Sequence, residues 1–354
     1  MNLLYKPDFE DTQRRWDAHW AGQIVDRPTV AIVAPREGAE PVERPHWRLN
    51  AWEDDFNAVL DRFEQYCATH VFLGEAIPCL RPGWGPDQFT VFLGGSLTRS
   101  APEHGTSWVD PFVDDWDAAL PFELDPENPW FKGLLERMRA IAERGEGKFL
   151  AHMIDIHANG DALSAMRGMQ AFIFDMIDRP ETVDRAMRSI RKIFHQVYDA
   201  FYKAGAMDER GSIMSDFYAR GRFYLSSCDA IAVMDPAMFR RFVLPAIEDE
   251  VAAMDHSIFH LDGPDAVKHL DDLMSLEKLD GIQVVPGAGG RPYLDCIDIF
   301  RKVQKAGKGL HLNCIPEQAR TLHKQLKPEG CFYDMRCESE AEGRELLEWF
   351  VKNT

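Results

Sequence analysis

The feature that most constrains this chain is a recurrence. Eight short runs rich in β-branched and aromatic residues each give way to a stretch with helical spacing of apolar positions or to a long connection. The runs are 29–34, 70–75, 148–155, 212–217, 257–262, 281–285, 309–313 and 331–335. Short runs that are apolar nearly throughout suit strands buried on both faces, and parallel strands joined by crossover helices meet that condition. Eight such units predict an α/β fold consisting of a single (β/α)8 TIM-type barrel, for which 354 residues is an ordinary length. The competing doubly wound sheet would carry a Gly-rich phosphate loop after its first strand, and none is present here.

Two regions depart from the repeat. Residues 1–27 are expected to form a helical extension, with Trp16 and Trp20 one turn apart on one face. Residues 79–128 are rich in Gly, Pro, Trp and Asp and are read as an insertion after the second strand, forming a pocket wall or lid, with a short strand at Thr90–Leu93. From residue 130 onward the pattern is regular. Pro180-Glu181, Asp235-Pro236 and the box Ser339-x-x-Glu342 mark helix starts. Residues 1–354 read as a single barrel domain.

Charge and cysteine content narrow the function classes. A net charge of −18 argues against a nucleic-acid partner, since phosphate binding needs concentrated Lys and Arg. No apolar run approaches the roughly 18 residues of a membrane span, so no membrane partner is expected. The first residues lack a basic region followed by an apolar run, so no secretory signal is expected. Seven cysteines without a CxxC pair point to a reducing, cytoplasmic setting rather than a disulfide framework.

In a barrel, catalytic groups sit at the C-terminal ends of the strands. That rule selects Arg36, Glu75, Asp155, Asp216 with Tyr218, His260 with Asp262, Asn313 with Cys314, and Cys337. The set is rich in carboxylate, thiol and imidazole, the donors zinc prefers. His260 and Cys337, with Cys314 or a carboxylate, form the expected metal trio. Each cysteine taken alone is more often a core residue than a ligand. Asp262 and Asp216, with Tyr218, are the expected catalytic groups. Glu75, Asp155, Arg36, and Arg222 and Tyr224 in the loop after the fourth strand, are the expected substrate contacts.

The segment Asp229-Ala230-Ile231-Ala232-Val233-Met234-Asp235-Pro236-Ala237-Met238-Phe239, with Leu244-Pro245 and then Phe259-His260-Leu261-Asp262-Gly263, resembles the uroporphyrinogen decarboxylase superfamily. It is more similar to the corrinoid-dependent methyltransferase branch than to the decarboxylase. The resemblance covers roughly 140–352. It implies a single barrel and a zinc held by a His-x-Cys and a late Cys, which His260 and Cys337 match. Asp262 stands where the family has its middle Cys. Asp216-Phe217-Tyr218-Ala219-Arg220-Gly221 resembles the family's fourth-strand segment, which implies that Asp216 faces the pocket. The decarboxylase's Arg-rich loop is reduced here to Arg36 beside Glu37.

The expectation that follows is a methyltransferase taking a methyl group from a small O- or N-methyl compound. The acceptor would be a corrinoid (cobalamin) on a partner protein. Zinc or an acid would activate the heteroatom. The alternative is a metal-independent decarboxylase or lyase acting on a small carboxylic acid. A barrel that only binds a ligand is a third class, and a homodimer is left open as the assembly.

Overall fold

The computed structural model describes residues 2–46, 50–99, 107–287, 290 and 292–354. Its strands are β1 (Thr29–Pro35), β2 (His70–Gly74), β3 (Cys79–Leu80), β4 (Leu97–Arg99), β5 (Ser107–Val109), β6 (Leu150–Ala151), β7 (Ser212–Met214), β8 (Phe217–Ala219), β9 (Phe223–Ser227), β10 (His256–Asp262), β11 (Gly281–Val285), β12 (Gly309–Asn313) and β13 (Cys331–Arg336). Seven of them form one sheet in the order β2-β1-β13-β12-β11-β10-β9. Six run parallel, and β2 runs antiparallel to β1. Separate two-stranded pairs are β3 with β6, β4 with β5, and β7 with β8. The fold is therefore mixed α/β with a mostly parallel sheet, and no continuous ladder closes it into a ring among the described residues.

Several expected elements change. The run 70–75 is a strand, but helix Phe56–Thr69 passes into it with no intervening turn, and it descends along β1. The run 212–217 is not one strand. It folds back at Ser215 and Asp216, both with positive φ (48° and 62°), into the hairpin β7–β8. Two consecutive positive-φ positions are what the tightest hairpin turns require. The chain then rises again as β9, over residues the sequence reading left as loop. In the insertion, Thr90 and Val91 belong to a short helix (Gln88–Val91), and β4–β5 is an antiparallel hairpin.

The N-terminal edge of the sheet is covered by helix Phe9–Trp20. Phe9, Thr12, Gln13, Trp16 and His19 recur every three or four residues and are its buried face. Trp16 packs on Phe217 (5.4 Å) and Phe332 (4.9 Å), and Trp20 Nε1 donates to the Tyr218 carbonyl (2.8 Å). Long helices such as Pro180–Ala204 cover the outer face. Among the described residues no helix is long and apolar enough to cross a membrane.

Candidate active site

Polar chemistry collects at the C-terminal edge, and strand register explains why. In the parallel ladder His260 on β10 pairs with Gln283 on β11, which pairs with His311 on β12. Side chains at matched register share a face, so the three form a row. His260 Nδ1 donates to Gln283 Oε1, and Gln283 Nε2 donates to His311 Nδ1 (2.6 Å). His311 Nε2 then points toward Asp334 Oδ2 at 3.6 Å, beyond hydrogen-bond reach. Asp334 itself accepts from Asn313 Nδ2 (3.1 Å). The His311 ring is fixed by stacking on Phe332 (4.9 Å, 6°) and by the edge of Phe217 (4.8 Å).

One end of the row opens on a cavity of about 350 Å³, with Arg44, Ser215, Asp216, His311, Asn313 and Asp334 in its wall. Asp216 is held there by the strained turn between β7 and β8, and strain of this kind tends to be kept where function uses it. Burial, with the Asp334 carboxylate nearby, pushes the Asp216 carboxyl above the usual range, against the pull of Arg44 and Arg336. His152 also lines the wall. Burial keeps it neutral, with Nδ1 donating to the Met153 carbonyl (2.6 Å) and Nε2 accepting from Ser215 N (2.8 Å).

The other end meets a cluster of acids. Asp229, His260 and Asp262 each offer a donor atom within 4.8 Å of the others, the one such group of three or more among the described residues. Asp229 and Asp262 line a depression of about 270 Å³. Asp262 Oδ1 is buried without a hydrogen-bond partner. Burial and the neighbouring Asp161 push the Asp229 carboxyl up, offset by His157 and His260. Behind them His157, at φ 49°, bridges Asp155 (3.0 Å) and Asp161 (3.4 Å). These carboxylates outweigh the desolvation of the ring and raise it to about 10, so it stands as an imidazolium. Asp161 in turn accepts from the backbone N–H of Asp229 (2.9 Å) and Ala230 (2.8 Å), fixing the loop that carries Asp229.

The structure thus brings together Asp155, Asp216, His260 and Asp262 of the expected residues, and it places the others elsewhere. Glu75 lies at the opposite edge, because β2 descends. It is 1% exposed, binds Arg27 through both oxygens (2.6 and 2.9 Å) and accepts from Val30 N (2.8 Å). Tyr218 is also at that edge, accepting from Gln13 Nε2 (2.7 Å) and donating to the Arg210 carbonyl (3.0 Å). Arg222 precedes β9, paired with Asp199 (2.6 Å) over the Tyr198 ring. Tyr224 faces helix Pro180–Ala204, and its hydroxyl accepts from Ile156 N (3.0 Å). Arg36 is exposed and caps the Ala68 and His70 carbonyls (both 3.0 Å).

The cysteines are displaced for two reasons. Cys314 and Cys337 alternate with the inward residues Asn313 and Arg336, so they face the surrounding helices. The strand before Cys337 is also three places from β10 in the sheet, roughly 14 Å at about 4.8 Å per strand. Burial raises both thiols, Cys337 to about 11, and leaves them poor ligands. The residues that could hold a metal ion are instead Asp229, His260 and Asp262, a donor set with one orphaned carboxylate oxygen.

Sequence reasoning missed Gln283, His311, Asp334, Arg44 and Asp229. Gln283 and His311 carried a usable signal, a polar residue inside an apolar strand at a register matching His260, and Asp334 sits two places beyond that register on the same face of its strand. Arg44 lies in a loop, with no periodicity to mark it.

Comparisons with known proteins give a fold. No family model matches the chain, and no curated protein matches its sequence. Among solved structures, a methyltransferase from Methanosarcina mazei superposes with a TM-score of 0.61 at 12% identity, covering 96% of this chain and 98% of that one. The likeness therefore extends over nearly the whole of both chains.

Proposed function

We propose that this chain is a methyltransferase that moves a methyl group from a small O- or N-methyl compound to a corrinoid carried by a partner protein. The reading includes a single domain whose six parallel sheet strands are completed into a (β/α)8 barrel by β3 and β6. The observation that carries it is the His260, Asp229 and Asp262 cluster at the C-terminal end of β10. The fold shared with a methyltransferase over 96% of the chain agrees with it. Zinc bound by these three residues would supply a Lewis acid at the donor heteroatom.

The chain's own residues have separable tasks. Gln283 holds His260 through Nδ1, so its Nε2 lone pair is the one presented to a ligand. The His157 imidazolium offsets repulsion among Asp155, Asp161 and Asp229. A carbon–heteroatom bond breaks more easily when the leaving atom gains a proton. At His260 the metal would polarise that atom, while Asp216, raised by burial, stands at the other end of the row and can hydrogen-bond the substrate there.

A second reading, a metal-independent decarboxylase or lyase on a small acid, is favoured by Arg44 beside Asp216 in the same cavity. The two separate in one assay. The purified chain is mixed with reduced cobalamin and a panel of O- and N-methyl compounds, and methylcobalamin is followed by absorbance. Methyl transfer that drops on the order of 10²-fold or more in His260→Ala supports the lead reading. Carbon dioxide release without methyl transfer supports the second.

A further inference from the structure

The row His260–Gln283–His311 does more than orient a metal ligand. His311 is 2% exposed, and its Nε2 is buried with no hydrogen-bond partner among the described residues. Because Nδ1 accepts from Gln283, the ring is the neutral tautomer with its proton on Nε2. A buried N–H without an acceptor is costly, and this one belongs to a residue lining the 350 Å³ cavity. Arg44 lines the same cavity. One of its terminal nitrogens donates to the Cys79 carbonyl (2.7 Å), while its other terminal nitrogen and Nε make no hydrogen bond among the described residues. Two donors, one of them a fixed positive charge, therefore belong to the wall of one cavity with hydrogen-bonding capacity unused, the Asp334 carboxylate lying 3.6 Å from His311 Nε2.

We propose that Arg44 and His311 form a subsite for a carboxylate, so that the methyl donor is a small methylated carboxylic acid. The claim rests on the reading of this edge as the active site, and it names the substrate class. Asp334 and Asp216 flank the subsite and repel a dianion such as phosphate more than a monoanion, and a flat carboxylate is what the Arg44 guanidinium and the His311 N–H match. The length of the donor follows from the strands. His260 and His311 stand two strands apart, roughly 10 Å along the sheet. A donor with its carboxylate at His311 and its methylated heteroatom at His260 is about the length of a benzoate. Gln283 is then a positioning residue that locks both rings at once.

The test uses the full chain and isothermal titration with benzoate and 4-methoxybenzoate. Benzamide and methoxybenzene serve as neutral controls, and inorganic phosphate as a competing anion. The expected result is millimolar or tighter binding of both acids. Binding should be weaker by about tenfold or more for the neutral controls, and for the acids in Arg44→Met and His311→Phe. The Phe ring keeps the stacking on Phe332, so this second variant guards against simple misfolding. Nitrogen-15 shifts should show His311 protonated at Nε2 in the wild type, and Gln283→Met should lose that preference. Equal affinity for acid and amide, tighter binding of phosphate, no binding of either acid, or a His311 protonated at Nδ1 each overturns the subsite. Carboxylate binding without methyl transfer from any acid overturns the methyltransferase reading and leaves the subsite standing. Methyl transfer with no preference for acids does the reverse.

Discussion

The two edges of the sheet use similar residues and leave them in opposite states. At the N-terminal edge Glu75 spends both oxygens on Arg27 and takes a backbone N–H as well. Around it Trp16, Phe217 and Phe332 interlock under the first helix. At the C-terminal edge Asp262 Oδ1 and His311 Nε2 are buried and unmatched. A paired buried charge holds a fold together, whereas an unmatched one is tolerated where a ligand completes it. An acid at a strand end is thus uninformative until the strand's direction is known. The reversal of β2 turns Glu75 from an expected substrate contact into a structural anchor.

The largest expected effect comes from breaking the satisfied edge. Glu75→Ala leaves Arg27 buried and unpaired, and Trp16→Ala empties a packed site, each costing about 3–5 kcal/mol in chemical denaturation. Zinc content should not change in either variant. Stability lost together with zinc would erase the distinction between the edges.

The next effect is a pH dependence from the His157 bridge. Its folded value is raised to about 10 from 6.5, so its stabilisation is complete below 6.5 and is lost as pH rises toward 10. Glu250, held by Asn159 and Ser226 and raised to about 7 by burial, acts in the same direction over a lower window. Asp155 is depressed, and its contribution is lost only as pH falls below the ordinary carboxylate range. Between pH 7 and 10 the wild type should lose on the order of 2 kcal/mol more than His157→Gln. Parallel melting curves for the two proteins across that window would contradict the assignment.

Smaller still are the cysteines. Cys314→Ala and Cys337→Ala each remove a buried thiol facing the helices and should cost about 1–2 kcal/mol by thermal melting, with ligand binding intact. Asp262→Asn should fall within about 1 kcal/mol of wild type, because its buried oxygen has no partner to lose. A large loss there would mean that Asp262 is structural after all.

The alternation of strands and helices was legible because it rests on periodicity, and six of the eight expected runs are strands of the main sheet. The direction of β2 was not legible, since a helix before a strand usually implies a parallel crossover. The fold-back at Ser215–Asp216 was hidden because neither residue is the Gly or Asn that marks such a turn. Within the site, His260, Asp262 and Asp216 could be read from strand ends, and Asp229 lay inside the segment that suggested a family. Gln283 and His311 become visible only through register, a relation between strands that no single stretch contains.

Zinc analysis of wild type and variants tests the central claim most directly. The account predicts about one zinc per chain in the wild type and in the Cys314→Ala, Cys337→Ala double variant, with loss in His260→Ala and Asp262→Ala. Zinc lost with the cysteines and kept without Asp262 would contradict it.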